Sequence, residues 1–280
     1  MRSCARNRGS VSIGALKPDL RALYARLLPH GVLDVLRQVV LFFCAYYAYR
    51  IVRGMIDDPQ GATTAFDNAR DLIGLERGLN LFVEPSVQAW AATSPLVVDM
   101  ASWVYINAQT TVTVGALIFI YLVHNRSFYW VRNMFMVAMA IALVGYVVYP
   151  TAPPRFFPEW GFFDAVSEFT GVPHDNVSVN ALFNPYAAVP SMHVAFALMI
   201  GIPLARLSKY RATRIFWATY PVFVVFVIVV TGNHFLADAV LGAMTAGVAA
   251  LAALWLGRAR PQAWKFGLAP RPGPGHAAAA

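Results

Sequence analysis

Two histidine motifs and one arginine are the residues of this 280-residue chain whose types and spacing suit chemistry on phosphorus. In His234-Phe235-Leu236-Ala237-Asp238 the imidazole and the carboxylate stand four residues apart, so on a helix they share one face. The carboxylate can then accept a hydrogen bond from one ring nitrogen and leave the other as a nucleophile. The same spacing describes a satisfied polar pair at a helix end. Position favours the working reading, because an ionisable pair at the mouth of an apolar segment is costly unless it is used or hydrated. In Pro190-Ser191-Met192-His193, Ser191 can cap a helix and offer its hydroxyl and nearby amides to a phosphate, and His193 can give a proton to a leaving oxygen. A plain capped helix start is the alternative. Arg155 ends the run Tyr149-Pro150-Thr151-Ala152-Pro153-Pro154-Arg155, where three prolines restrict the backbone and hold the guanidinium in place. Its paired donors match phosphate oxygens; an ion pair with Glu159 is the duller possibility.

The elements that must position these groups follow from composition. The chain is 58% hydrophobic and 13% charged, against about 25% charged in soluble domains. A water-soluble fold is excluded. Crossing a hydrocarbon core of about 30 Å takes about 20 apolar residues, and such stretches lie near 33–53, 95–123, 130–149, 190–206, 213–231 and 234–256. The expectation is an all-α polytopic membrane protein with six transmembrane helices. An outer interfacial helix over 64–79 is expected too, where Phe66, Ala69, Ile73 and Leu79 recur at helical spacing; a cap over the site is the second reading of that helix.

The net charge of +8 is explained by topology and not by nucleic acid. With the amino terminus inside, 17 of the 22 Lys and Arg fall on the cytoplasmic side, and only Arg50, Arg53, Arg70, Arg77 and Arg155 fall outside. That bias sets orientation. Both termini are expected in the cytoplasm of a plasma-membrane protein, with the two histidine motifs and Arg155 facing the periplasm or exterior. Residues 1–29 read as a basic cytoplasmic leader lying on the anionic inner surface, 30–257 as the membrane domain, and 258–280 as a cytoplasmic, disordered tail.

Smaller signals complete the reading. Asn107, Gln109, Thr110, Thr111 and Thr113 make the second span too polar for lipid and suggest helix contact, with a substrate-lining role as the lesser alternative. The loop 150–189 carries aromatics (Phe156, Phe157, Trp160, Phe162, Phe163, Phe169) expected at the headgroup level. Cys4 and Cys44 imply neither a disulfide nor a zinc site, and the Asn176 sequon carries no weight. No internal repeat supports a transporter plan.

Taken together, Leu75-Glu76-Arg77-Gly78-Leu79, the Pro-Thr-Ala-Pro-Pro-Arg run and the two histidine motifs resemble the type 2 phosphatidic acid phosphatase superfamily over roughly residues 70 to 256. The likeness is greatest to its inositol phosphorylceramide synthase and sphingomyelin synthase-like branch. The resemblance implies a six-helix core and phosphoryl transfer through a phosphohistidine without metal or other cofactor. It implies His234 as nucleophile, Asp238 as its orienting partner, His193 as proton donor, and Arg155 and Ser191 as phosphate ligands. Several positions depart from the phosphatase pattern. Val148 stands where a lysine is expected, Phe156 where a proline is, Met192 where a glycine is, and Val227-Ile228 where Ser-Arg is. Losing two cationic ligands fits the transferase branch better. The expected activity is therefore a lipid phosphotransferase acting on a membrane phospholipid or lipid phosphate, with an alcohol such as inositol as acceptor. With water as acceptor it would be a phosphatase. Oligomeric state is not legible.

Overall fold

A computed structural model describes residues 27–28, 30–55, 61–172 and 184–261. The expectations for most of the leader, the tail beyond residue 261 and the Asn176 sequon lie outside the described residues. Nine α-helices are described: α1 Gly31–Met55, α2 Gly61–Gly78, α3 Glu84–Ala91, α4 Pro95–Val123, α5 Asn125–Val148, α6 Ala165–Thr170, α7 Met192–Leu207, α8 Arg211–Val230 and α9 Leu236–Ala259. Short 3-10 turns follow α5, and the only β pairing among the described residues is one bridge between Thr151 and Ala187.

Five helices, α1, α4, α5, α8 and α9, are long and apolar enough to cross a membrane. The expected span over 190–206 corresponds to α7, which with 16 residues, or about 24 Å of rise, is shorter than the other five. It is the bundle's central rod, with neighbours α4, α5, α8 and α9. Val194, Phe196, Met199, Ile200 and Leu204 are among its buried residues. The ends of α1, α5 and α8 and the starts of α4, α7 and α9 follow from alternating direction, so the three chemistry-bearing segments share one end of the bundle.

α1 is held differently. Only Asp34, Gln38 and Tyr49 of its 25 residues are buried, so polar contacts and not apolar packing fix its rotation. Asp34 accepts from Tyr121 (2.7 Å), Tyr129 (3.0 Å) and Gln38 (3.0 Å), and Arg132 donates to Gln38 and Asn133. At the other end the Tyr49 and Tyr146 hydroxyls pair at 3.1 Å. Interhelical polar contacts of this kind typically hold helices whose apolar surface lipid already satisfies. Arg132, assigned by charge to the cytoplasmic loops, is 1% exposed inside this network.

The α2 helix is not apolar face down in lipid. Its Ala65, Ala69 and Ile73 pack with Ala152, Phe157, Phe162 and Phe235, so it covers the loops that carry Arg155 and His234. The second reading of that helix, a cap, is the one that agrees with this packing. The loop aromatics are also redirected. Phe157 and Phe162 are buried, and Phe157 stacks on Trp160 at 5.2 Å; of the six, Phe169 is the most exposed, at 39%.

Candidate functional site

His234 sits in the turn between α8 and α9, and the sequence of that turn explains its shape. Gly232 has φ +65°, and a Cβ there would fall 2.7 Å from Gln88 Nε2 and 2.8 Å from the Phe163 carbonyl, so only glycine fits. Gln88 is fully buried and donates to Phe163 O (2.9 Å) and Val230 O (3.2 Å), joining α3 to the turn. The His234 Nδ1 lies 3.2 Å from Asp238 Oδ2, which also accepts from the Phe235 amide at 3.0 Å. The expected pair is thus formed, although His234 precedes the helix and only Asp238 stands in its first turn.

Three carboxylates converge on the start of α9. Asp238 accepts the Phe235 amide, Glu84 the Leu236 amide at 2.8 Å, and Glu76 the Ala237 amide at 2.7 Å. Each satisfies one of the amides a helix start leaves open. Glu76 belongs to the Leu-Glu-Arg-Gly-Leu segment, and its contact shows what that segment does: it anchors the cap helix to the turn bearing His234. Sequence reasoning did not find this role, nor that of Glu84 or Gln88, because each partner lies about 75 to 160 positions away.

His193 begins α7 and faces the same space. Its ring stacks on Tyr105 with centroids 4.3 Å apart, and lies 5.5 Å from the His234 ring at 62°. Ser191 is the residue before α7, but its side chain makes no capping bond. It is 0% exposed, and its Oγ has no hydrogen-bond partner. It is not among the residues that line the cavity. Its amide donates to the Asp238 carbonyl at 3.1 Å, which ties the start of α7 to the start of α9. Gly242 permits that approach, since a Cβ there would fall 2.3 Å from Ser191 O.

Arg155 completes the group. Its amide donates to Gly232 O at 2.8 Å, its Nη1 donates to Asn233 Oδ1, and its Nε lies 3.7 Å from Asp164 Oδ2. The carboxylate beside it is therefore Asp164, not Glu159. Asn233, next to the histidine, also donates to Thr231 O at 3.0 Å; it couples the arginine to the turn, a role without a motif to announce it. His193, His234, Asn233 and Arg155 line one cavity of about 520 Å³, whose wall continues past Tyr105 to Gln109 and Thr110 and across to Tyr46, Tyr49 and Arg53. Two of the five polar residues of α4 thus do face the cavity, while the half-buried Asn107 and the exposed Thr111 bond along their own helix. No cluster of metal-ligating side chains occurs among the described residues.

Electrostatics keep His234 neutral. Burial, then the charges of Arg155 and Arg53, push its pKa down to about 3, with a contact to the Ala188 backbone acting the other way. The ring is a free base at any physiological pH. Burial likewise draws Arg155 below the ordinary arginine value, opposed by Tyr105 and Asp164; it remains charged. Glu76 is pushed up to about 8 by burial and by the Glu84 and Asp238 carboxylates beside it, so Glu76 keeps a proton near neutrality.

That proton has a measurable consequence. An acid held at about 8 in the fold and at 4.5 otherwise binds a proton the unfolded chain has released, so stability falls as pH rises between those values. His234 acts in the opposite sense between 3 and 6.5, which leaves pH 6.5 to 8 as the window in which Glu76 is read alone of the two. Thermal unfolding in detergent is expected to show the midpoint falling across that window, and Glu76→Gln, which keeps the acceptor for Ala237, is expected to flatten the fall. Identical slopes for the two proteins would remove the protonated Glu76.

The comparisons with known proteins agree with this arrangement. No curated protein and no solved structure matches the chain. The PAP2 superfamily matches over residues 70–252, which include α3 through most of α9 and every residue expected at the site. That superfamily acts as phosphatases or phosphotransferases on lipid phosphates, in keeping with a membrane-embedded cavity walled by two imidazoles and a guanidinium. With that match spanning most of its length, the chain belongs to the PAP2 superfamily.

Proposed function

We propose that this chain is a lipid phosphotransferase that works through a phosphohistidine at the outer leaflet. The observation that carries the reading is the meeting of His193, His234 and Arg155 in one cavity wall, the two rings 5.5 Å apart. The His234 nitrogen away from Asp238 attacks phosphorus, and a P–N bond forms as the P–O bond to the leaving alcohol breaks. His193 supplies the proton that alcohol needs, since the phosphoryl anion stabilises an imidazolium in the complex. The resulting neutral His193 then takes a proton from the acceptor hydroxyl, whose oxygen attacks phosphorus and frees His234. Protons and bonds balance over the two steps. Asp238 holds the His234 tautomer, Arg155 neutralises phosphoryl oxygens, and positioning with charge neutralisation supplies most of the acceleration. The assignment of Ser191 as a further phosphate ligand rests on its orphaned, buried hydroxyl alone.

Two features favour an alcohol over water as acceptor. The cavity reaches Gln109 and Thr110, about 21 Å along α4 from its start, which leaves room for a second substrate beside the lipid. The positions that carry cations in the phosphatases are Val148, 73% exposed, and the buried Ile228, so hydrolase-type phosphate binding is not reproduced there. The excess of Lys and Arg at the opposite end of the bundle supports an outward-facing site. The test is direct. Purified protein in vesicles receives phosphatidylinositol or phosphatidic acid labelled in the phosphate, with and without free inositol or another polyol. Label appearing in a new polyol phosphate or lipid is the expected result. Release of inorganic phosphate unaffected by any alcohol would make the chain a phosphatase.

A further inference from the structure

We infer that Arg53, from α1, is a second cationic ligand for the phosphoryl group, lining the same cavity as Arg155. This rests on the phosphotransfer reading and extends it to a residue outside the family match, which begins at residue 70. Arg53 lines the same cavity as His193, His234 and Arg155. Its guanidinium carbon lies 5.4 Å from the centre of the Tyr146 ring, and its Nη2 is 3.5 Å from the carbonyls of Asn184 and Ala187. Its charge reaches both His234 and Arg155.

Its direction is built in. The face of α1 fixed by Asp34, Gln38 and the Tyr49–Tyr146 hydroxyl pair continues one turn on to position 53, so the contacts that dock α1 also aim Arg53 inward. Arg155 has the Asp164 carboxylate 3.7 Å from its Nε, and two guanidinium groups at one cavity still leave donors for a shared anion. A phosphoryl group held there has oxygens to offer to both. Nothing in the motif-bearing segments supplies this second cation. A lysine at 148 would point away, since Val148 is 73% exposed, and Val227 and Ile228 are packed in the core. The loss of phosphatase cations is thus offset from a helix that the family pattern does not describe.

The experiment uses the full-length protein in lipid vesicles, orthovanadate as a mimic of the transferring phosphoryl group, and phosphatidic acid as substrate. Arg53→Gln is expected to weaken vanadate inhibition at least tenfold and to lower kcat/KM by about 10²- to 10³-fold, the range seen when one donor to a developing oxyanion is removed. Arg53→Lys, which keeps the charge, should recover vanadate affinity in part, and added guanidinium should partly restore Arg53→Ala. A residue that only ties α1 to the loop would alter the thermal midpoint and leave vanadate inhibition as it was. Wild-type vanadate inhibition and kcat/KM in Arg53→Gln, alongside an inactive His234→Ala, would overturn the role of Arg53 while leaving the phosphotransfer reading in place. Turnover by His234→Ala would instead defeat the reading itself.

Discussion

Replacing His193 by alanine is expected to slow transfer from a lipid ester by about 10²- to 10⁴-fold, the usual contribution of a positioned general acid. In the first step alone, read as the burst of leaving-group release, the same variant should lose less than about tenfold on an aryl phosphate, whose leaving oxygen needs no proton. The contrast is diagnostic because it separates proton donation from mere packing. His193 is stacked on Tyr105 at 4.3 Å and faces His234 at 5.5 Å, so a purely structural loss would shift both rings and depress both substrates alike. Burst rates of leaving-group release measured in parallel on the two substrates decide it. Equal losses would reassign the proton donor.

The second large effect comes from a residue with no chemistry of its own. Gly242→Ala would put a Cβ 2.3 Å from Ser191 O, a backbone atom that cannot swing aside. Relief requires α7 and α9 to separate at their starts, where the Ser191 amide bonds the Asp238 carbonyl and where His193 and Asp238 emerge. Overpacking of this kind costs about 1–3 kcal/mol, and a shift of about 1 Å in a reacting group is enough to lose about 10²-fold in rate. Gly247 on the same helix has nothing within 4 Å of its would-be Cβ. Gly247→Ala is therefore expected to leave turnover unchanged and to raise helix stability slightly. Activity and thermal midpoint of the two variants, measured side by side, test whether the α7–α9 contact sets the site geometry.

The candidate site residues were readable in the chain to the extent that their partners were local or their surroundings unusual. His234 and Asp238 lie four residues apart, and Arg155 is the only Lys or Arg between the third and fourth apolar segments. His193 is marked by Pro190 and Ser191. What escaped is carried by long-range pairing. Glu76, Glu84, Gln88 and Asn233 look like ordinary polar residues, and their meaning comes from amides and carbonyls that folding brings to them. Ser191 was read from helix-start statistics, which give a residue's place but not the direction of its hydroxyl. The aromatics of 156–163 look alike whether they meet headgroups or a cap helix; the packing of Phe157 and Phe162 under α2 decides between them. Hydropathy marked the apolar run 190–206 but not its packing: α7 is shorter than the five long helices and lies among four of them in the bundle core.

The account depends on a covalent bond between phosphorus and one imidazole. The most direct measurement is to quench the purified protein during turnover of a lipid labelled in its phosphate, and to map the protein-bound label. The expected result is a label that is stable in alkali, lost in acid, confined to the segment containing His234, and absent from His234→Ala. An acid-stable label on Ser191 or any other residue, or undiminished labelling of His234→Ala, would contradict it.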